Sequence, residues 1–504
     1  MSGIGSIPSR RLVLAVALAA ATACGVGTSS SRAAPASTLC VGAKAGCYAT
    51  IQAALDAADD GDTIEVGPGT FAGGITIVKS IALEGAGAGV TTIRGGGPVV
   101  TIGDLTGATT PTVSIRRVTI TGGVTHSSAG GSTAIATGGG VLIPGPAGGF
   151  ATGAIVTISD SVVTQNRASP LTTLSGPCGR RPFCSFALGG GIDNAGTLTL
   201  TNTRVTDNVA GSTASDPSVA TDASGGGINS RPGATLTLTN SVVSGNTAAV
   251  GLPNGQFSDG GGITSSGLLN IQSSTVSGNH SDVEAAIPSS FFSGDTQQEA
   301  NAGGIYLPEG SSTTIVGSSI SDNSVSGTNT VGDANAEAGG IDVDGSLLLN
   351  ASIVSGNVVR ATAPSGTLAL GIEAGLQVSG SLIAHGGRIS GNSALATSVG
   401  GFAAATGGGM DNLAQTTLEG TVVSGNSVTA DGAFGVAHGA GVSNFTLDAN
   451  NPPRLKLLNS SITGNTVQAS PGITPEGGGL WTDQPVLLVR TAIAGNSPDQ
   501  CVGC

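Results

Sequence analysis

Lysine is nearly missing from this chain: Lys44, Lys79 and Lys456 are the only ones in 504 residues. Charged residues make up 10% and aromatics 3%, with one tryptophan and two tyrosines. Beyond the N-terminal region no apolar run is long enough to cross a membrane. The charge is one-sided, with 18 basic residues against 31 acidic ones and a net charge of −13. Residues 1–36 hold three arginines and no acid, so a chain without them carries −16. So acidic a surface repels nucleic acid and anionic membranes. It also disfavours a lyase acting on polyuronate, which needs cations to neutralise the substrate's carboxylates unless bound calcium supplies them. Sugar subsites usually need aromatic platforms and cationic hydrogen-bond donors, both scarce here. No cofactor is expected, with calcium the one left open.

Glycine, in contrast, is abundant, at 85 residues. It recurs in a unit best seen from Gly225 to Asn246, GGGINSRPGATLTLTNSVVSGN. The unit is a glycine run with one aliphatic residue, an alternating segment and a closing asparagine. That asparagine returns at Asn166, Asn208, Asn246, Asn279, Asn323, Asn357, Asn392, Asn426, Asn465 and Asn496, a mean period of about 37 residues. Alternation with period two means strands and turns. Such a strand cannot bury its apolar face alone, but stacking it on its own copies, one coil per repeat, buries a continuous interior. Coils then lie about 4.8 Å apart, close enough for the asparagine amides to form an internal ladder. Glycines mark the corners. The strict recurrence argues against disorder.

GGGI paired with VSGN resembles the GGA-I and F-x-x-N motifs of polymorphic outer-membrane protein repeats. More broadly the pattern is similar to right-handed parallel β-helices of the pectin-lyase-like fold, over nearly all the chain after residue 47. The resemblance implies an all-β, single-stranded right-handed parallel β-helix over residues 37–504, with a short N-terminal capping helix. It says little about activity, because that fold hosts lyases, hydrolases, esterases, adhesins and spacers.

Arg10 and Arg11 precede an uncharged apolar run from Leu12 to Ala23, and small residues follow, as in a secretory signal. Ser9 to Leu14 also resembles a twin-arginine signal with Val13 in place of the usual Phe. Cleavage after Ala36 would free the protein, whereas cleavage before Cys24, in a lipoprotein-like box, would anchor it. Setting Cys24 aside, the other six cysteines fall in close couples, Cys40 with Cys47, Cys178 with Cys184 and Cys501 with Cys504, as expected for structural disulfides in an exported chain. The C-terminus lacks the alternating strands of an autotransporter barrel.

Ile51, Ala54, Leu55 and Ala58 keep helical spacing and stop at Asp59-Asp60-Gly61-Asp62, predicting a short amphipathic helix over the first coil. This opening resembles the N-terminal cap of pectin methylesterases, whose later Gln and Asp motifs are not recognisable. Gly85 to Gly89 is followed by a strand-like run instead of a helix, so it reads as a corner and not as a phosphate loop.

The residue after the aliphatic of each glycine motif should face outward: Asp193, Asn229, Thr264, Tyr306, Asp342, Gln377, Asp411, Ser443 and Trp481. Asp342 and Asp411 are two coils, about 9.6 Å, apart. That approaches the carboxylate spacing of an inverting glycosidase. Asp344 adds a third carboxylate or a calcium ligand. The plainer reading is a solvated strand face. His126, His280, His385 and His438 have no metal-ligand spacing, and no metal site is expected.

Insertions collect between the closing asparagine and the next glycine run, so they should line one long edge. Seven of the ten phenylalanines lie there, at Phe183, Phe186, Phe257, Phe291, Phe292, Phe402 and Phe434. Phe183, Phe291 and Phe292, with the basic pair Arg180 and Arg181, are candidate binding residues for a polysaccharide or cell-surface ligand. The alternative is that the rings tuck back as satellite packing. The expectation is an exported monomer at or outside the cell surface, acting as a binding, adhesin-like or structural protein. A polysaccharide hydrolase or lyase is the competing class.

Overall fold

The structure is a computed structural model, described for residues 36–504 except 107, 128–132, 146–152, 171–184, 214–218, 220, 253–254, 287–297 and 448. The signal and lipoprotein readings, Cys178, Arg180, Arg181, Phe183, Cys184, Phe291 and Phe292 lie outside the described residues.

Strand pairs between coils are parallel throughout, in sheets of 14, 13, 13 and 18 strands among the described residues. One coil shows the path. It passes through Ile228–Ser230 in the third sheet, Thr235–Thr239 in the first and Val242–Ser244 in the second. It then runs out through Thr247–Val250 and back through Gly255–Asp259, and enters the third sheet again at Ile263–Ser265. The out-and-back strands of the coils from Val124 to Glu476 make the 18-stranded sheet, called the arm below. The chain is therefore a right-handed parallel β-helix with a strand-built arm along one side.

Alternation in Thr235–Thr239 turns Leu236 and Leu238 inward, where both are fully buried. Leu198 and Leu200 are their partners in the coil before, Leu269 and Ile271 in the coil after. Burying each such side chain stabilises by about 1.5–3 kcal/mol. The arm has its own interior, separate from this aliphatic one and built mainly from alanine: Ala210, Ala248, Ala300, Ala336, Ala361, Ala396 and Ala430 are all fully buried there. Small side chains let outgoing and returning strands pack closely, with valines such as Val325 and Val359 filling the remaining space.

Two polar ladders hold the corners inside the main coil. Asn246 Nδ2 donates to Asn279 Oδ1 at 2.9 Å and to the Val205 carbonyl at 2.9 Å, while the Asn246 backbone N–H donates to the same Oδ1 at 3.0 Å. The pattern repeats from Asn166 to Asn496, where the Gln500 side chain closes it. A second ladder, of hydroxyls, stands at the corner between the first and second sheets. There the Ser241 N–H donates to Ser274 Oγ, and the Ser274 N–H to Ser318 Oγ.

The helix spans Ile51–Ala57 and buries Ile51, Ala54 and Leu55 against the first coils. Thr50 caps its start, and Lys79 Nζ donates to the carbonyls of Asp56, at 3.0 Å, and Ala58 at its end. Cys40–Cys47 and Cys501–Cys504 are disulfide-bonded near the two ends of the described chain. Among the described residues no helix is long and apolar enough to cross a membrane.

Candidate functional site

The third sheet turns its aliphatic residues into the core, so the next residue in each strand faces away from it. That row was expected to meet solvent. Instead the returning arm strands lie over it, and Asp342 and Asp411 are only 3% and 0% exposed. The reason is the arm: the insertions are stacked strands that cover this face. The result is a seam lined from both sides.

From the third sheet come Tyr306, Asp342, Gln377, Asp411, Ser443 and Trp481, partners in consecutive coils. From the arm, Ser224, Asp259, Asn301, Glu337, Ile372, Thr406, His438 and Glu476 form a second row in register. Two residues earlier, Asp222, Phe257 and Glu299 begin a third. Bonds cross the seam between rows. Gln377 Nε2 donates to Glu337 Oε2 at 3.1 Å, Thr406 Oγ1 to Asp411 Oδ2 at 3.0 Å, and Trp481 Nε1 to Glu476 Oε2 at 3.2 Å. Tyr306, Asp344, Glu299, Glu337, His438 and Trp481 are half-buried, so the seam meets solvent along its length.

Burial pushes the acids up. Asp222 rises to about 6, opposed by the Ser224 hydroxyl, and Glu299 rises to about 8, with the Glu337 charge adding to burial. Glu337 is also raised by burial, although the amides of Asn335 and Gln377 bond to its carboxylate and pull the other way. Asp259 and Asp342 are driven well up by burial, then by neighbouring carboxylates. Asp344 is raised by burial, against the Tyr306 hydroxyl that donates to it at 3.3 Å. Among the described residues Asp342 Oδ1 and both carboxylate oxygens of Glu373 have no hydrogen-bond partner.

Arg231 is the cation that reaches this row. It donates to both oxygens of Asp193 through Nε at 3.0 Å and Nη2 at 2.5 Å. At the far end Trp481 stacks on His438 with ring centroids 4.0 Å apart. Burial pushes this imidazole down to about 4. Among the described residues no group of three or more His, Cys, Asp or Glu is placed to hold a metal ion.

Of the residues singled out from sequence, Asp342, Asp344 and Asp411 lie in the seam together. Phe402 and Phe434 belong to the arm, in edge contact with centroids 5.8 Å apart, and Phe434 is 56% exposed. Sequence reasoning missed Asp222, Asp259, Glu299, Glu337 and Glu373, because each sits in or beside an insertion read as loop. For Glu373 a signal existed: Glu373-Ala374-Gly375-Leu376 stands where other coils have a glycine run.

No family model and no curated protein matches this chain. Among solved structures it is similar to the A-module of the Azotobacter vinelandii mannuronan C-5 epimerase AlgE6, at 18% identity and a TM-score of 0.36, covering 86% of this chain and 94% of that one. The AlgE4 A-module of the same organism matches at 14% identity and a TM-score of 0.36, covering 88% and 94%. Pectate lyase Pel9A matches at 12% identity and a TM-score of 0.30, covering 90% and 79%. Similarity at this level carries no argument about activity. The stack of parallel sheets makes the chain a right-handed parallel β-helix, and any argument about its ligand starts from its own seam.

Proposed function

We propose that this is an exported binding protein whose seam takes a linear, uncharged glycan. The observation that supports it is the series of half-buried side chains, Tyr306, Asp344, Glu299, Glu337, His438 and Trp481, that meets solvent along the stacked coils from Tyr306 to Trp481. Five coil steps from Tyr306 to Trp481 span about 24 Å. An edge this regular suits a ligand that repeats along its own length. Carboxyl, hydroxyl and imidazole groups stand along it, offering both donors and acceptors to hydroxyl groups. Aromatic rings at Tyr306 and Trp481 give apolar faces for sugar rings. A polyuronate would place its carboxylates against acids with no free cation among the described seam residues. The apolar run from Leu12 to Ala23 and the two disulfides support export.

Binding is preferred to hydrolysis because Asp342 and Asp411, the carboxylates with the suggestive spacing, lie beneath the arm at 3% and 0% exposure. Asp344, Glu299 and Glu337, half-buried, are the acids that an enzymatic reading would have to use.

Trp481 is the only tryptophan, so its fluorescence reports on this site alone. Titration with neutral oligosaccharides should shift the emission and saturate, and a Tyr306→Phe, Gln377→Ala double variant of unchanged melting temperature should weaken binding about tenfold or more. Oligouronates should give no shift. Silence with every neutral oligosaccharide, or equal binding by the double variant, refutes the reading. New reducing ends in the same mixtures would move the assignment to hydrolysis.

A further inference from the structure

Where the returning arm strand meets the third sheet, every coil passes through a left-handed backbone position. Gly225, Gly260, Gly407 and Gly439 occupy it with φ between 58° and 67°. Ala302 and Ala338 hold it at 46° and 53°. In the coil between Ala338 and Gly407 the residue is Glu373, at φ 57°. Equivalent backbone bonds fix the correspondence: Gly303 N–H donates to the Ala338 carbonyl, and Gly339 N–H to the Glu373 carbonyl. Any residue with a Cβ is disfavoured in this conformation relative to glycine, and a buried carboxylate is disfavoured again by lost hydration.

Glu373 carries both costs: it is fully buried, and among the described residues neither of its carboxylate oxygens has a hydrogen-bond donor. It faces Asp411 in the next coil, also fully buried, whose Oδ2 accepts from Thr406 and whose Oδ1 has no donor. The other charged groups acting on Glu373 are Glu337 and Asp342, both acidic. Ser443 bonds to Asp411 from the coil beyond, and His438 follows Thr406 in the arm register. Among the described residues no cation balances the pair. Two carboxylates in contact and out of water cannot both be charged, whereas one proton between them makes each the other's partner.

We infer that Glu373 and Asp411 share a single proton and act as a latch, joining the arm-to-sheet corner of one coil to the third-sheet strand of the next, and that loss of this proton opens the seam there. The inference does not depend on what the seam binds. Burial raises Asp411 to about 7 and drives Glu373 well up, so the shared proton is released on the alkaline side of the ordinary carboxylate range. As the folded values are raised, the contribution is complete at acid pH and is lost as pH rises.

The test is hydrogen exchange on the full chain from pH 5 to 9, corrected for intrinsic exchange, in peptides covering 371–376 and 408–412. If opening requires loss of one proton, protection there should fall about tenfold per pH unit above the release point. It should stay flat in peptides of the second sheet. Glu373→Gln, which keeps a donor to Asp411, and Glu373→Gly, which restores the residue of the sister coils, should both fold and flatten the profile. A flat wild-type profile, or the same fall in both variants, overturns the latch. Protection that is held at pH 9 by calcium and lost on chelation also overturns it, in favour of a bound cation.

Discussion

Replacing Asn279 by alanine tests the interior ladder at its middle. Asn279 Oδ1 accepts two bonds, from the Asn246 backbone N–H and from Asn246 Nδ2, at 3.0 and 2.9 Å. Its own Nδ2 donates to Asn323 Oδ1 at 2.9 Å and to the Val243 carbonyl at 3.0 Å. Alanine leaves two donors of Asn246 unpaired in a fully buried interior, and the Val243 carbonyl and Asn323 Oδ1 each lose one bond. Each orphaned buried group costs about 1–3 kcal/mol. Partial relaxation of the corner brings the expected total to about 3–6 kcal/mol. Asn496 is the control: it is 5% exposed, its Oδ1 accepts from Asn465, and its donors reach Gln500 and Ile462 in the last turn of the ladder. Fraying admits water there, so Asn496→Ala should cost about 1–2 kcal/mol. Denaturant unfolding followed by circular dichroism measures both. The ladder argument fails if Asn279→Ala lies within 1 kcal/mol of wild type, or if the two variants cost the same.

Further outcomes follow from particular contacts. Arg231→Ala leaves the fully buried Asp193 without its bidentate partner and should cost about 3–5 kcal/mol, read from the same denaturation curves; Asp193→Asn in that background should recover part of the loss. His438 titrates near 4 in the folded chain against 6.5 for an ordinary imidazole, so its contribution is present above about pH 6.5 and lost as pH falls towards 4. That loss amounts to about 3 kcal/mol and should be absent in His438→Phe, measured by denaturation at pH 7 and pH 4.5. Ser274→Ala removes the acceptor of the Ser241 N–H and should cost about 1–2 kcal/mol, less than Asn279→Ala because one donor is orphaned instead of two.

The coil was legible in the sequence because its signals are local. Leu236 and Leu238 alternate with threonines, Gly225 supplies a positive φ, and Asn246 closes the repeat whatever lies further along. The arm was not, because its strands exist only through neighbouring coils. Thr221–Ser224 carries no strand signature, yet it pairs with Ser185–Leu188 on one side and Gly255–Asp259 on the other. A clue lay in alanines at alternate positions, as at Ala361 and Ala363 or Ala394 and Ala396, the mark of a thin interior. Missing the arm also misplaced the site: Asp342 was rightly set facing away from the core, but what covers it comes from Glu337 and its neighbours, in a segment read as loop.

Successive ladder asparagines are separated by as few as 31 and as many as 44 residues, yet their side chains meet at the same 2.9 Å. That difference in length is absorbed by the arm and by the turn from the third sheet to the first, which has two residues between Asn412 and Gln415 and nine between Asn444 and Arg454. Mutation can therefore add or delete residues there without disturbing the next coil, and copying a whole coil gives a unit whose donors and acceptors already fit its neighbours. Such a molecule can change its length by whole coils and its outer features by single residues, two kinds of inheritance that need not interfere.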